Sequence, residues 1–478
     1  MDKRFLMIAL AAAIASGAAA KVRLPHLIAD NMVLQSDADV RLWGWASPGK
    51  TVTVTPSWGA PAVTAKAGRR GEWEVRVHTP KAGYTPLSLT FDDGEKTTVG
   101  NVLSGEVWVC AGQSNMEMPV RGFWGCPVEG YNDVVADARS HGGVRFAKIP
   151  STMAMTPQSD ADTKWQVVLP ETVQWASATG YFFGRQLEQV LGVPVGLIEA
   201  NKGGTRVESW LDRDNLKKHT DERLDSLSIY GMKTDYYRPM VWGNGTFAPI
   251  QKFTVKGIIY YQGCSNVGYH TDDYARRLQL LVEQWRRGFG EGDIPFYFVE
   301  IAPYWYDNAD GTDAALLREQ QYIALTKIRN CGLVGNNDGV YRWEMKQIHP
   351  SQKRKVGERL ARYALSETYG VKGFIYKNPS YESMTVNGAE AVVKLRDTEN
   401  GIYPLYGIQG FEIAGEDGKF YPAAARYDWN GGIVVTSPKV HKPTAVRYCF
   451  RNFKLGTARN QGGLPLLPFR TDGNLNNK

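Results

Sequence analysis

From Leu24 to about Asn101, apolar and polar positions alternate in short runs. The segments Val40 to Trp45, Val52 to Thr55 and Trp73 to Val77 each send every second side chain to one face, which is the period of a half-buried strand. Pro and Gly turns separate these runs and no helical stretch intervenes, so residues 21–101 read as a small all-β module of sandwich or jelly-roll type.

The pattern changes near Val102. The short apolar run Val107 to Cys110 leads into Ala111 and Gly112. Beyond it, strands are predicted at Val195–Ala200, Val255–Tyr261, Pro295–Ile301 and Gly332–Gly335, and helices at Tyr181–Leu191, Tyr274–Arg287 and Ala314–Ile328. Apolar strands alternating with helices are the signature of a parallel sheet wrapped by helices, which binds ligands at the carboxyl ends of its strands. A last helix is predicted with Pro350 at its first position, because Val356, Leu360 and Ala364 recur every four residues. After Gly370 alternation returns, in Ala391 to Leu395, Gly432 to Thr436 and Ala445 to Cys449. The fold class is therefore α/β over residues 102–370, with a second all-β module over 371–478.

The segment 1–20 has a different logic. Lys3 and Arg4 precede an apolar run from Phe5 to Ile14, and Ala18 to Ala20 close it with small residues. This is the form of a signal peptide, with cleavage expected near Ala20 and a periplasmic or secreted product. No later stretch is apolar enough for a membrane span. The net charge of +7 is spread thinly, without a dense basic run, so nucleic-acid binding is not indicated. The five cysteines would permit two disulfides of unassigned pairing, and no cysteine or histidine spacing fits a metal site.

Three predicted strand ends carry candidate chemistry. Ser114 follows Gly112-Gln113, and a serine there becomes a nucleophile only with a base and a stabilised oxyanion. No Gly-x-Ser-x-Gly elbow surrounds it, which excludes an ordinary α/β-hydrolase. The second strand end carries Gly203 and Gly204, whose N–H groups could approach an oxyanion, and the third carries Asn266, whose amide could add a donor. Of the seven histidines, His349 is best placed as base, next to the predicted helix start, where the dipole would keep the imidazole neutral.

The order Ser114, Gly203, Asn266, His349, with Gly112-Gln113-Ser114-Asn115-Met116 around the first, resembles the SGNH hydrolase superfamily. More narrowly, the chain is similar to the sialate O-acetylesterase family and its bacterial relatives. The likeness runs nearly end to end, through Asp30 to Gln35, Gly105 to Met116, Gly203 to Trp210, Ile348 to Pro350 and Gly463 to Asp472. It implies an SGNH-like sheet and an O-acetylated carbohydrate, sialic acid or plant glycan, as substrate. Ser114 would form an acetyl-enzyme, His349 would act as base and then acid, and no metal or organic cofactor would be needed.

The match departs where a third catalytic residue is expected. The family's acid before the histidine is replaced by Gln347, the glutamate of its Gln-Gly-Glu motif by Cys264, and its tryptophan before Gly-Gly by Lys202. Three readings follow. His349 works in a dyad oriented by Gln347 or a backbone carbonyl; Glu344 or Asp338 supplies the acid by another route; or catalysis is lost and a carbohydrate-binding protein remains.

Overall fold

Strand alternation divides the core of the α/β unit into two layers. Val107, Val109, Ala111, Ile258, Tyr260, Phe296 and Phe298 face one way, packing with Leu278, Leu281, Trp285 and Leu317. Trp108, Cys110, Ile259, Tyr261, Tyr297 and Val299 face the other, against Tyr181, Phe182, Leu187, Val356 and Leu360. The computed structural model describes residues 21–429 and 431–473, so the expected leader lies outside the described residues.

Six parallel strands form the sheet, in the order Cys331–Val334, Phe296–Val299, Gly257–Tyr261, Lys96–Gly112, Val195–Asn201, Val144–Lys148, with Trp165–Val167 antiparallel at the edge. Helices Ala178–Leu191 and Lys353–Glu367 cover one face; Tyr274–Phe289 and Asp313–Lys327 cover the other. The expected strands and helices of this layer agree with the observed ones to within a few residues, whereas Val144–Lys148 and Trp165–Val167 were not expected. One helix begins earlier than its apolar period indicates, because Ser177 caps it by accepting from the Gly180 N–H.

The last helix is the correction. It starts at Lys353, not Pro350. Residues 350–352 are held in a loop instead: the Ser351 N–H donates to Glu344 at 2.9 Å, and its carbonyl accepts from Glu129 at 3.0 Å.

One long strand runs through both the N-terminal module and the α/β unit. Lys96–Gly112 pairs antiparallel with Gly83–Asp92 over its first part and lies between Val195–Asn201 and Gly257–Tyr261 over its last. The strand therefore continues through residue 101, where the alternation pattern placed a boundary. Residues 380–470 form two four-stranded antiparallel sheets around their own core, which includes Val393, Ile413, Ile433 and Tyr448. All five cysteines are free. Among the described residues no helix is long and apolar enough to cross a membrane.

Trp108 sits at the middle of the sheet, fully buried, with ring centroids of Phe183 at 5.1 Å and Tyr297 at 5.9 Å. Its Nε1–H donates to the Tyr369 hydroxyl, which donates in turn to Glu106. Trp108→Ala should lower the unfolding free energy by about 3–5 kcal/mol, read as a fall in the urea midpoint; a loss under 1 kcal/mol, roughly the cost of a surface change, would contradict this packing.

Candidate active site

The site is built where the parallel strands end. Gly112 closes the central strand at φ +137°, and a Cβ there would collide with the Tyr261 carbonyl of the neighbouring strand. Only glycine allows that approach. Gln113 then locks the two strand ends together: its N–H donates to the Tyr261 carbonyl at 3.0 Å, and its side-chain oxygen accepts from the Gly263 N–H at 2.7 Å.

Ser114 opens a one-turn helix, Ser114–Glu117, and is partly exposed. Its neighbour Asn115 is almost fully buried and holds the turn in place. The Asn115 amide donates to the Ile348 carbonyl at 3.0 Å, and its Oδ1 accepts from Lys353 Nζ at 2.6 Å. On the other side, the Thr179 hydroxyl donates to the Asn115 carbonyl and the Ser177 hydroxyl to that of Met116. The Ser114 turn is thus tied both to the segment that carries His349 and to the adjoining helix.

His349 lies among apolar and weakly polar neighbours. Its ring packs edge-on against Phe123, centroids 5.1 Å apart, and Nδ1 faces Cys126 Sγ at 3.9 Å. Burial, reinforced by the Lys353 charge, lowers its pKa from 6.5 to about 4. The imidazole is neutral at pH 7, as expected from the sequence, but the cause differs: the helix dipole is replaced by desolvation and a nearby cation. Lys353 itself is only 1% exposed, and burial brings its pKa down to about 7, against the raising effect of Cys264 and Glu344.

None of the three residues considered as acid or orienting partner bonds to the His349 ring. The Gln347 side-chain oxygen accepts from the His349 backbone N–H at 3.3 Å. Glu344 accepts from the N–H groups of Tyr341 and Ser351, each at 2.9 Å, and so closes the loop around His349. Asp338 belongs to a separate ion cluster, bidentate to Arg359 at 2.7 and 2.9 Å, with Lys355 and Arg459 alongside. These cations hold its carboxyl below the usual range despite burial.

The candidate oxyanion donors separate in the same way. Gly203 lies beside Ser114, since a Cβ on it would be 3.3 Å from Ser114 Cβ, but its N–H donates to the Glu117 carboxylate at 2.6 Å. Gly204 adopts φ +77°, and a Cβ there would meet the Tyr236 ring at 2.6 Å. Asn266 is buried and fully engaged: its amide nitrogen donates to Glu208, and its oxygen accepts from Val207 and Gln262. Glu208 in turn pairs with Arg277 at 2.7 Å. Asn266 therefore holds the loop after the Gly-Gly turn through a buried ionic network. Arg206 is seated over Tyr237 and Tyr269, at 3.8 and 3.4 Å, with Nε on the Ser265 carbonyl.

Asn115, Glu117, Cys126 and Lys353 carry contacts that motif reading did not assign. One of them had a positional signal: Glu117 lies three residues after Ser114, a spacing that shares a helix face. Cys126 had none, since only tertiary folding brings its loop to the ring.

The profile of the family described as carbohydrate esterase, sialic acid-specific acetylesterase matches residues 104–366. Sialate O-acetylesterase of Homo sapiens is 28% identical over 403 residues, spanning 78% of this chain and 76% of its own. The Mus musculus protein is 27% identical over 465 residues, with coverage of 86% and 85%. Among solved structures, a carbohydrate acetylesterase from Xanthomonas citri superposes with a TM-score of 0.83 at 32% identity, covering 95% of this chain and all of that one.

A histidine NMR titration should find the His349 ring changing state near pH 4 instead of 6.5. Both burial and Lys353 oppose the imidazolium, so removing the Lys353 charge should move the midpoint up. Lys353→Met is expected to raise it; a midpoint that does not move would show that the cation does not act on the ring.

Proposed function

Because the chain belongs to the sialic acid-specific acetylesterase family of carbohydrate esterases and is a carboxylic ester hydrolase, we propose that it releases acetate from O-acetylated sugars through a Ser114 acyl-enzyme. The observation that carries this reading is the hydrogen bond from Asn115 to the Ile348 carbonyl, which joins the serine's turn to the residue before a neutral histidine.

The chemistry requires no further group. His349 takes the Ser114 hydroxyl proton as Oγ attacks the acetyl carbonyl carbon. The tetrahedral oxyanion is held by backbone N–H donors. Those of Ser114 and Gly204 have no acceptor among the described residues, whereas that of Gly203 becomes available only when Glu117 moves off it. The carbon–oxygen bond to the sugar then breaks, and His349 returns the proton to the departing alcohol. Water, deprotonated by the same histidine, attacks the acetyl-enzyme, and acetate leaves with Ser114 restored.

His349 and Ser114 form a dyad in this scheme, with the Cys126 sulfur beside Nδ1 where a carboxylate would otherwise orient the ring. A thiol is a weak partner, so the imidazolium formed in the transition state gains little from it. The leader-like pattern of residues 1–20 supports action outside the cytoplasm.

A second reading, a sugar-binding protein that has lost turnover, is favoured by two contacts: Glu117 on the Gly203 N–H and a thiol in place of an acid. Covalent capture separates the two. A fluorophosphonate should label the wild type at Ser114, and Ser114→Ala should abolish labelling and lower kcat/KM on aryl acetates by about a thousandfold or more. Folded protein that neither labels nor turns over acetylated sugars across pH 6–9 would establish the binding reading instead.

The dyad has its own test. Cys126→Asp places a carboxylate beside Nδ1 and stabilises the imidazolium, so the acid limb of kcat/KM should move to higher pH. An unmoved limb would show that residue 126 does not face the ring during turnover.

A further inference from the structure

Two loops bracket His349, and each presents a tryptophan that neither the core nor the chemistry above uses. Trp124 follows Phe123, the ring packed edge-on against His349, and is 100% exposed. Trp343 precedes Glu344 and is 79% exposed, with one face lying flat on Tyr341, centroids 4.4 Å apart and planes 8° from parallel. Elsewhere Trp108, Trp210 and Trp285 are fully buried, which is where an indole's large apolar surface lowers the free energy most. Large apolar groups left exposed on loops tied to the His349 segment are candidates for a binding surface.

Trp343 is braced on Tyr341, and the loops that carry the two indoles are tied together. The Tyr341 hydroxyl donates to Glu129, and the Glu129 N–H donates to the Ser351 carbonyl at 3.0 Å. Gln347 reaches the Gly125 carbonyl at 3.4 Å, beside Trp124, while its side-chain oxygen accepts from the His349 N–H. The two loops are therefore laced to each other and to the segment that carries the base. A preorganised flat ring such as that of Trp343 loses little conformational entropy when a partner stacks on it.

We infer that Trp124 and Trp343 are stacking platforms for the sugar rings of a glycan chain whose acetylated unit lies at Ser114. A pyranose ring presents a face of C–H groups to the electron-rich face of an indole, and its hydroxyls remain in water at the rim. Two platforms outside the catalytic cleft fit a chain of several rings; a free monosaccharide seated at Ser114 leaves both unused. The substrate class is an acetylated oligosaccharide or polysaccharide. This rests on the esterase reading, which the experiment tests separately.

Wild type, Trp124→Ala and Trp343→Ala are compared on a partially acetylated xylo-oligosaccharide, on acetylated xylose and on 4-nitrophenyl acetate. The ratio of KM for the oligosaccharide to KM for the aryl ester should rise about tenfold in each variant, the loss of one stacked ring. Trp429→Ala removes an equally exposed indole on the C-terminal module and should leave that ratio unchanged. Equal KM values for oligosaccharide and monosaccharide in the wild type, or ratios unmoved in both rim variants, would overturn the proposal. If no ester is hydrolysed, the esterase reading fails on its own. The platforms are then read by quenching of tryptophan fluorescence with unacetylated xylo-oligosaccharide: quenching lost in Trp343→Ala upholds them, and quenching retained in both rim variants removes them.

Discussion

The site depends on one buried amide. Asn115 uses its nitrogen on the Ile348 carbonyl and its oxygen on the Lys353 ammonium, so a single side chain binds the Ser114 turn to a segment 233 residues further along the chain. Without that bridge the serine would belong to the central strand and the histidine to a separate surface loop. The bridge also requires Lys353 to be buried, and a buried cation is costly unless it is hydrogen-bonded. The charge that completes the bridge is the same one that disfavours an imidazolium at His349. Positioning and base strength are therefore coupled in this molecule: the contact that places the histidine also makes it a weaker base.

The folding pattern was legible from the sequence because both periods act over long stretches. Strands that are buried on both faces read as unbroken apolar runs, as in Gly257–Tyr261, and helices such as Tyr274–Phe289 repeat every three to four residues. The start of the last helix was not legible. Pro350 suits a first helical turn, but Ser351 is held by Glu344 and Glu129 instead. A tertiary contact there overrides a local preference, and no window of neighbouring residues encodes it.

The candidate site was legible only in part, for a related reason. Glycine and serine at strand ends are visible because they answer a local geometric need. The direction in which a polar side chain points is set by its partners. Asn266 turns towards Glu208, Asp338 towards Arg359, and Glu344 towards backbone N–H groups. Each carries a chemically suitable group, and each satisfies it elsewhere, because a buried polar atom left unpaired costs more than a misplaced one. Contacts between distant loops, such as Cys126 with His349, leave no trace in spacing.

The strand Lys96–Gly112 bears on the history of the protein as well as its architecture. Its first half belongs to the N-terminal sheet and its second half supplies the floor on which Ser114 stands. Val40, Leu42 and Val75 share an apolar cluster with Ile258 and Trp285 of the α/β unit. Genetic exchange of the N-terminal piece, as a cassette, would sever a hydrogen-bonded ladder and expose the core beneath it. The C-terminal sheets enclose an apolar cluster of their own but are tied to the α/β unit by ion pairs such as Arg459–Asp338 and Arg470–Glu319. The N-terminal piece is thus inherited with the sheet that carries Ser114.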